Sequence, residues 1–272
     1  IPIVHQKEIR LPNAQTKLYS LAVQVLLERW QKHKTGSQAA VRLRHTVRPV
    51  LLTINTVSDG TGYLVRWLEI TNTGDRPAAL GAVAPWAGLV GRALRWEETM
   101  PHGAPLFSVG YFEDCRWGNE GAFSWLDLAP GGFRVQSMLG WSGHGMPFFM
   151  LRNNLTGQLV VGALAWSGNW GIDLYYDPVP GEALVWFAAG PNQSRPLRVI
   201  APGETVTTPA VHLGMLDADV DGAVQAYHEH LRRSVLPGSG SLARRVVRAV
   251  MVGRSRAVSG RAGWGLRVRT WS

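Results

Sequence analysis

Across residues 159–211 the chain alternates short apolar runs with Gly, Pro and Asn: LVVGALAWSGNW, then EALVWFAAG, then APGETVTTPAV. Apolar positions in a strand rhythm, closed by turn formers, predict short β-strands. The same pattern predicts strands over residues 50–57, 63–71, 78–84, 106–112, 122–128, 133–138, 147–152, 158–166, 172–177, 183–188, 197–200 and 206–213. Ser58-Asp59-Gly60-Thr61-Gly62 and Asn72-Thr73-Gly74-Asp75 are hairpin chemistry, because tight turns need positive φ. Residues 18–30 are ambiguous: Leu18, Leu21 and Val25 have helical spacing, while LAVQV also alternates. Many short strands with frequent turns predict an antiparallel sandwich.

One helix follows. Val220, Val224, Tyr227 and Leu231 recur at i, i+4, i+7 and i+11, Asp217 or Asp219 can cap the start, and Leu236-Pro237-Gly238 stops it. The expected organisation is a β domain over 1–216, a helix over 217–237 and a tail over 238–272.

Charge alters the picture only locally. The 272 residues carry a formal +9, yet the eight Arg of residues 238–272, with no acid there, leave about +1 for the rest. A nucleic-acid-binding body would need its own basic surplus, so nucleic acid is not the expected partner. The tail has three readings: a basic arm for nucleic acid or a membrane surface, a solvated disordered end, or a misread coding frame. Its Arg, Gly, Ala, Val and Ser composition favours the last. No apolar run reaches the ~18 residues of a membrane span. IPIVHQKEIR shows no signal-like pattern, so the start reads as a processed terminus or, preferably, a fragment. Cys115 is alone, which excludes an internal disulfide and a Cys-based zinc site and fits a cytoplasmic protein.

Twelve Trp are the outstanding enrichment. An indole face stacks on the C–H face of a pyranose while its N–H offers a polar handle. Most Trp fill a sandwich core, so the candidates for sugar contact are those beside polar groups in loops: Trp141 with Ser142 and His144, and Trp166 and Trp170 around Asn169. A glycosidase needs two carboxylates roughly 5–9.5 Å apart. Glu113 with Asp114, and Glu97 with Glu98, are sequence neighbours that a strand would aim at opposite faces, and a long-range pair such as Glu120 with Asp127 stays open. His228 and His230, two apart, do not share a helix face as a zinc pair would. No catalytic residue, metal ligand or cofactor is nominated.

Several segments, taken in order, resemble glycoside hydrolase family 36, the α-galactosidases and raffinose-synthase-like enzymes. They are LVRWLEITNTGDRP, GWSGHGMPFFMLRNNLTG, ALAWSGNW, APGETVTTPAVHLG and the helix ending HLRRSVLP, within residues 45–237. The resemblance implies an antiparallel two-sheet, galactose-mutarotase-like β-supersandwich with a linker helix. It also implies retaining hydrolysis of α-galactosides, or galactosyl transfer, by Asp residues of a following (β/α)8 barrel. The barrel's Lys-Trp-Asp and Asp-Cys-type motifs do not occur at matching positions, and Asp114-Cys115 falls in the wrong domain. The expected protein is therefore a truncated, catalytically silent β domain whose bare barrel-facing surface favours self-association. A stand-alone sugar-binding or mutarotase-like sandwich is the alternative, and a basic-tailed nucleic-acid or membrane binder is a third.

Overall fold

Strand β10 (Phe148–Asn153) and strand β11 (Leu159–Leu164) carry apolar residues on both faces, and almost every position in them is buried. Runs of this kind occur where a sheet is covered on both sides, and these two strands lie in the middle of the largest sheet. The computed structural model describes residues 6–11, 37–45, 47–98, 101, 103–114, 118–119, 121–142, 145–193 and 196–236. Residues 18–30 and the Arg-rich tail lie outside the described residues, as do His102, Cys115, Glu120 and His144.

The ten-stranded sheet runs β1 (Gln6–Leu11), β2 (Ser37–His45), β3 (Val50–Ser58), β4 (Tyr63–Asn72), β16 (Val211–Leu216), β11, β10, β7 (Phe107–Phe112) and β8 (Phe123–Asp127). The tenth strand, β15 (Thr205–Thr207), pairs with β4. Among the described residues only β1 and β2 pair in parallel. A second sheet orders β6 (Trp86–Leu94), β13 (Glu182–Pro191), β12 (Trp170–Val179) and β9 (Phe133–Ser137), and a ribbon joins β14 (Arg198–Ile200) to β5 (Ala78–Leu80). The expected antiparallel sandwich is what forms.

Alternation along each strand divides the core. Phe149 and Leu151 of β10 join Trp170, Ile172 and Leu174 of β12 and Phe187 of β13 between the sheets. Phe148 and Met150 face the other way, with Leu159 and Val161, and are covered by helix α1 (Val220–His230) through Ala223, Val224 and Tyr227. A third cluster, with Ile54, Leu68, Ile200 and Val206, is topped by Leu80 of the ribbon. Arg66 is among the largest fully buried side chains of the described residues. Its Nε donates to Thr56 Oγ1 (2.9 Å) and its guanidinium lies 4.1 Å from the centre of the Trp86 ring.

Asp219 is the helix cap, accepting from Gly222 N–H at 2.8 Å. The chain divides into two units, Ile1–His230 and Leu231–Ser272. Helix α1 lies within the first of these units. In the second unit Leu231–Val235 makes a π-helical turn, with Leu236 N–H donating to the Leu231 carbonyl at 2.8 Å.

Three strands were not predicted from the sequence: β1, β2 and β6. In β2 only the short stretch Val41-Arg42-Leu43-Arg44 alternates, and β6 (WAGLVGRAL) is broken by glycines and bulged opposite Val185 and Trp186. The run at 206–213 becomes two strands because Pro209 cannot donate to a ladder, and Thr208 Oγ1 instead accepts from Leu68 N–H at 3.0 Å. The run at 78–84 keeps only its first three residues as strand.

Candidate functional site

Asn169 joins loops that leave three different strands. Its Oδ1 accepts from Gly140 N–H (2.5 Å), in the loop between β9 and β10. Its Nδ2 donates to Gln193 Oε1 (3.0 Å), just after β13. Its carbonyl accepts from Trp166 Nε1–H (3.1 Å) and from Asn192 N–H (3.0 Å). The Gly-Asn pair that reads as a simple turn in sequence thus acts as a three-way tie.

Around that tie the aromatic residues separate into two kinds. Trp141 is 60% exposed and Trp166 45%, whereas Trp170 is fully buried. Leu139, Met138 and Met146 add exposed apolar surface in the same loop as Trp141. Trp170 faces inward at the start of β12, and its Nε1–H donates to Ser142 Oγ at 3.0 Å. The expectation of a sugar contact at Trp170 is corrected: neither face of its ring is open to a ligand, and its polar handle is used inside the protein. Trp166 bonds Asn169, the loop bearing Trp141 is tied to Asn169 through Gly140, and His144 lies outside the described residues.

An open cleft of about 380 Å³ is lined by Tyr111, Glu113, Asp114 and Asn119. The loop bearing Trp141 returns beside it, because Gly145, at φ 84°, sits where a Cβ would meet the Phe112 carbonyl at 2.9 Å. The sequence argument that Glu113 and Asp114 point apart does not hold, since both follow the end of β7 and both line the cleft. Both oxygens of Glu113 are occupied, one accepting from Ser124 Oγ and the other from Asn119 Nδ2 at 3.4 Å. The carboxylate is thereby held as a structural acceptor.

A second polar cluster had no sequence signal. His212, in β16, and His230, ending α1, lie with Nδ1 and Nε2 2.7 Å apart, and His230 Nδ1 is 2.7 Å from Asp59 Oδ2. Burial, together with His230, pushes His212 down to about 4. Burial, with Tyr227 nearby, pushes the Tyr63 phenol up. Among the described residues no group of three or more His, Cys, Asp or Glu is arranged to hold a metal ion.

No protein-family model matches the chain, and no curated protein does. Solved structures do. An α-galactosidase of glycoside hydrolase family 36 from Geobacillus stearothermophilus, in complex with raffinose, superposes with a TM-score of 0.63 at 19% identity, covering 76% of this chain and 27% of the enzyme. The α-galactosidase of Lactobacillus brevis gives 0.61 at 18%, covering 73% and 25%. The fold is that of the N-terminal domain portion of the family 36 α-galactosidases. At these identities the likeness concerns the fold, and the chain spans about a quarter of the length of the family 36 enzymes it matches. No helix among the described residues is long and apolar enough to cross a membrane.

Removing the tie is a direct test of the shelf of exposed aromatics on this family 36-like sandwich. Asn169→Ala deletes one acceptor and one donor, and is expected to lower stability by about 1–2 kcal/mol in urea denaturation. An unchanged denaturation midpoint would show that the loops hold without it.

Proposed function

We propose that this chain is the non-catalytic β domain of an α-galactosidase-like glycoside hydrolase acting on terminal α-galactosides. The observation that carries the reading is the coverage: three quarters of this chain, but only a quarter of each enzyme, is shared. The carboxylates support it. Glu113 is tied by Ser124 and Asn119, Asp219 caps α1, and Glu182 and Glu204 pair with Arg92 and Arg198. The purified chain is expected to give no turnover of nitrophenyl α-galactoside. Turnover that disappears on changing Glu113 or Asp114 would sink the proposal.

A second reading rests on the exposure of Trp141 and Trp166, whose loops are both tied to Asn169. Two exposed indoles next to hydrogen-bonding groups suit a pyranose, so the shelf is offered as a galactoside contact, with the exposed Leu139 and Met138 as a surface for a barrel or a second copy. Raffinose is expected to quench Trp fluorescence in the wild type and to lose that effect in Trp166→Ala. A flat wild-type titration would remove the sugar contact and leave the domain assignment standing.

A further inference from the structure

Three side chains from distant parts of the sandwich form one hydrogen-bonded line that the sugar reading does not use. Asp59 lies in the turn between β3 and β4, His212 in β16, and His230 at the end of α1. His230 is fully buried, His212 is 8% exposed, and the Asp59 side chain is 14% exposed. Tyr63 stacks on His230 with ring centres 4.7 Å apart and planes 14° apart, and Tyr227 of α1 lies 6.4 Å away.

We propose that the Asp59–His230–His212 line is a proton-counting latch that holds the end of α1 on the large sheet and releases it when both imidazoles are charged. The argument is one of room. Two imidazole nitrogens 2.7 Å apart accommodate a single proton between them. With both rings neutral, His230 donates to Asp59 from Nδ1 and accepts from His212 at Nε2. A first added proton is shared by the pair beside the Asp59 carboxylate: one ring donates across the gap and the other accepts, its own proton moved to its outer nitrogen. A second added proton places N–H groups on both sides of the gap. The hydrogen bond then becomes a contact between like charges in a buried place.

The phenols of Tyr63 and Tyr227, packed on His230, are pushed up by burial and stay neutral throughout. Burial first, and His230 second, push His212 down to about 4, against the opposing pull of Asp59. A released His212 regains its ordinary value near 6.5. Release therefore takes up a proton between those two values, so the latch is whole above about pH 6.5 and weakens as pH falls toward about 4. The shift amounts to about tenfold per pH unit.

The test is amide exchange of the full chain from pH 7 to 4, corrected for the intrinsic pH dependence of exchange, comparing residues 223–230 with β11. Protection in α1 is expected to fall about tenfold per unit below about pH 6.5 while β11 holds. His212→Gln, whose amide takes no proton, is expected to leave α1 flat across that range. Parallel loss in α1 and β11, or an unchanged acid step in His212→Gln, overturns the latch. Should that variant not fold, the imidazole nitrogen shifts of the wild type decide. One ring staying neutral well below pH 6 supports the latch, and two rings charging near pH 6.5 overturn it.

Discussion

Replacing Trp170 by alanine is expected to destabilise the sandwich by about 3–5 kcal/mol, the range for deleting a large buried aromatic. The side chain is fully buried among Ile172, Leu174 and the rest of the inter-sheet core, and its loss also leaves Ser142 Oγ without the donor from Nε1. Trp141→Ala, at an exposed loop position, is expected to stay within about 0.5 kcal/mol. Urea denaturation of the two variants checks both values. Equal, small losses would mean that Trp170 is not packed as described, and would reopen its face to a ligand. The contrast also protects the sugar titration from misreading, since a Trp170 variant that fails to bind would have lost its fold before its site.

Gly132→Ala is expected to cost about 2–6 kcal/mol, combining backbone strain with overpacking. Gly132 has φ 103°, where an L side chain is strained, and a Cβ there would lie 1.9 Å from the Leu174 carbonyl oxygen. Leu174 pairs with Phe133 at the start of β9, so the clash would push this edge strand away from β12. Gly131 makes the control. Its φ is 95°, yet nothing lies within 4 Å of its Cβ position, so Gly131→Ala carries only the strain, about 1–3 kcal/mol. Matching losses at the two positions in chemical denaturation would show that β9 accommodates the methyl group.

Much of the sandwich was legible because its signals are local. Turn residues bracket apolar runs at β3, β4, β7 through β14 and α1, and each element forms where its run lies. β6 was not legible, since glycines dilute its alternation and its bulge shifts the register. Pro209 divides the run between β15 and β16, and the division follows from its missing donor. The ordered segments also carried the likeness to the family 36 α-galactosidases, although no single segment is distinctive.

The candidate sites were less legible, and for a different reason. Trp141, Trp166 and Trp170 share loop-like neighbourhoods in the sequence, but packing buries one and exposes two. Glu113 and Asp114 look opposed on a strand, but the strand stops one residue earlier and both turn toward one cleft. Asp59 and His230 are 171 positions apart, and no periodicity links a turn Asp to the last residue of a helix.

By itself the sequence determined most of the strands and the helix, because hydrophobic alternation and turn chemistry act over a few neighbours. Only the tertiary structure decided which of several like residues face solvent, and which polar side chains meet. Those outcomes depend on the burial of β10 and β11 between a second sheet and a helix, and on contacts made by residues far apart in the chain.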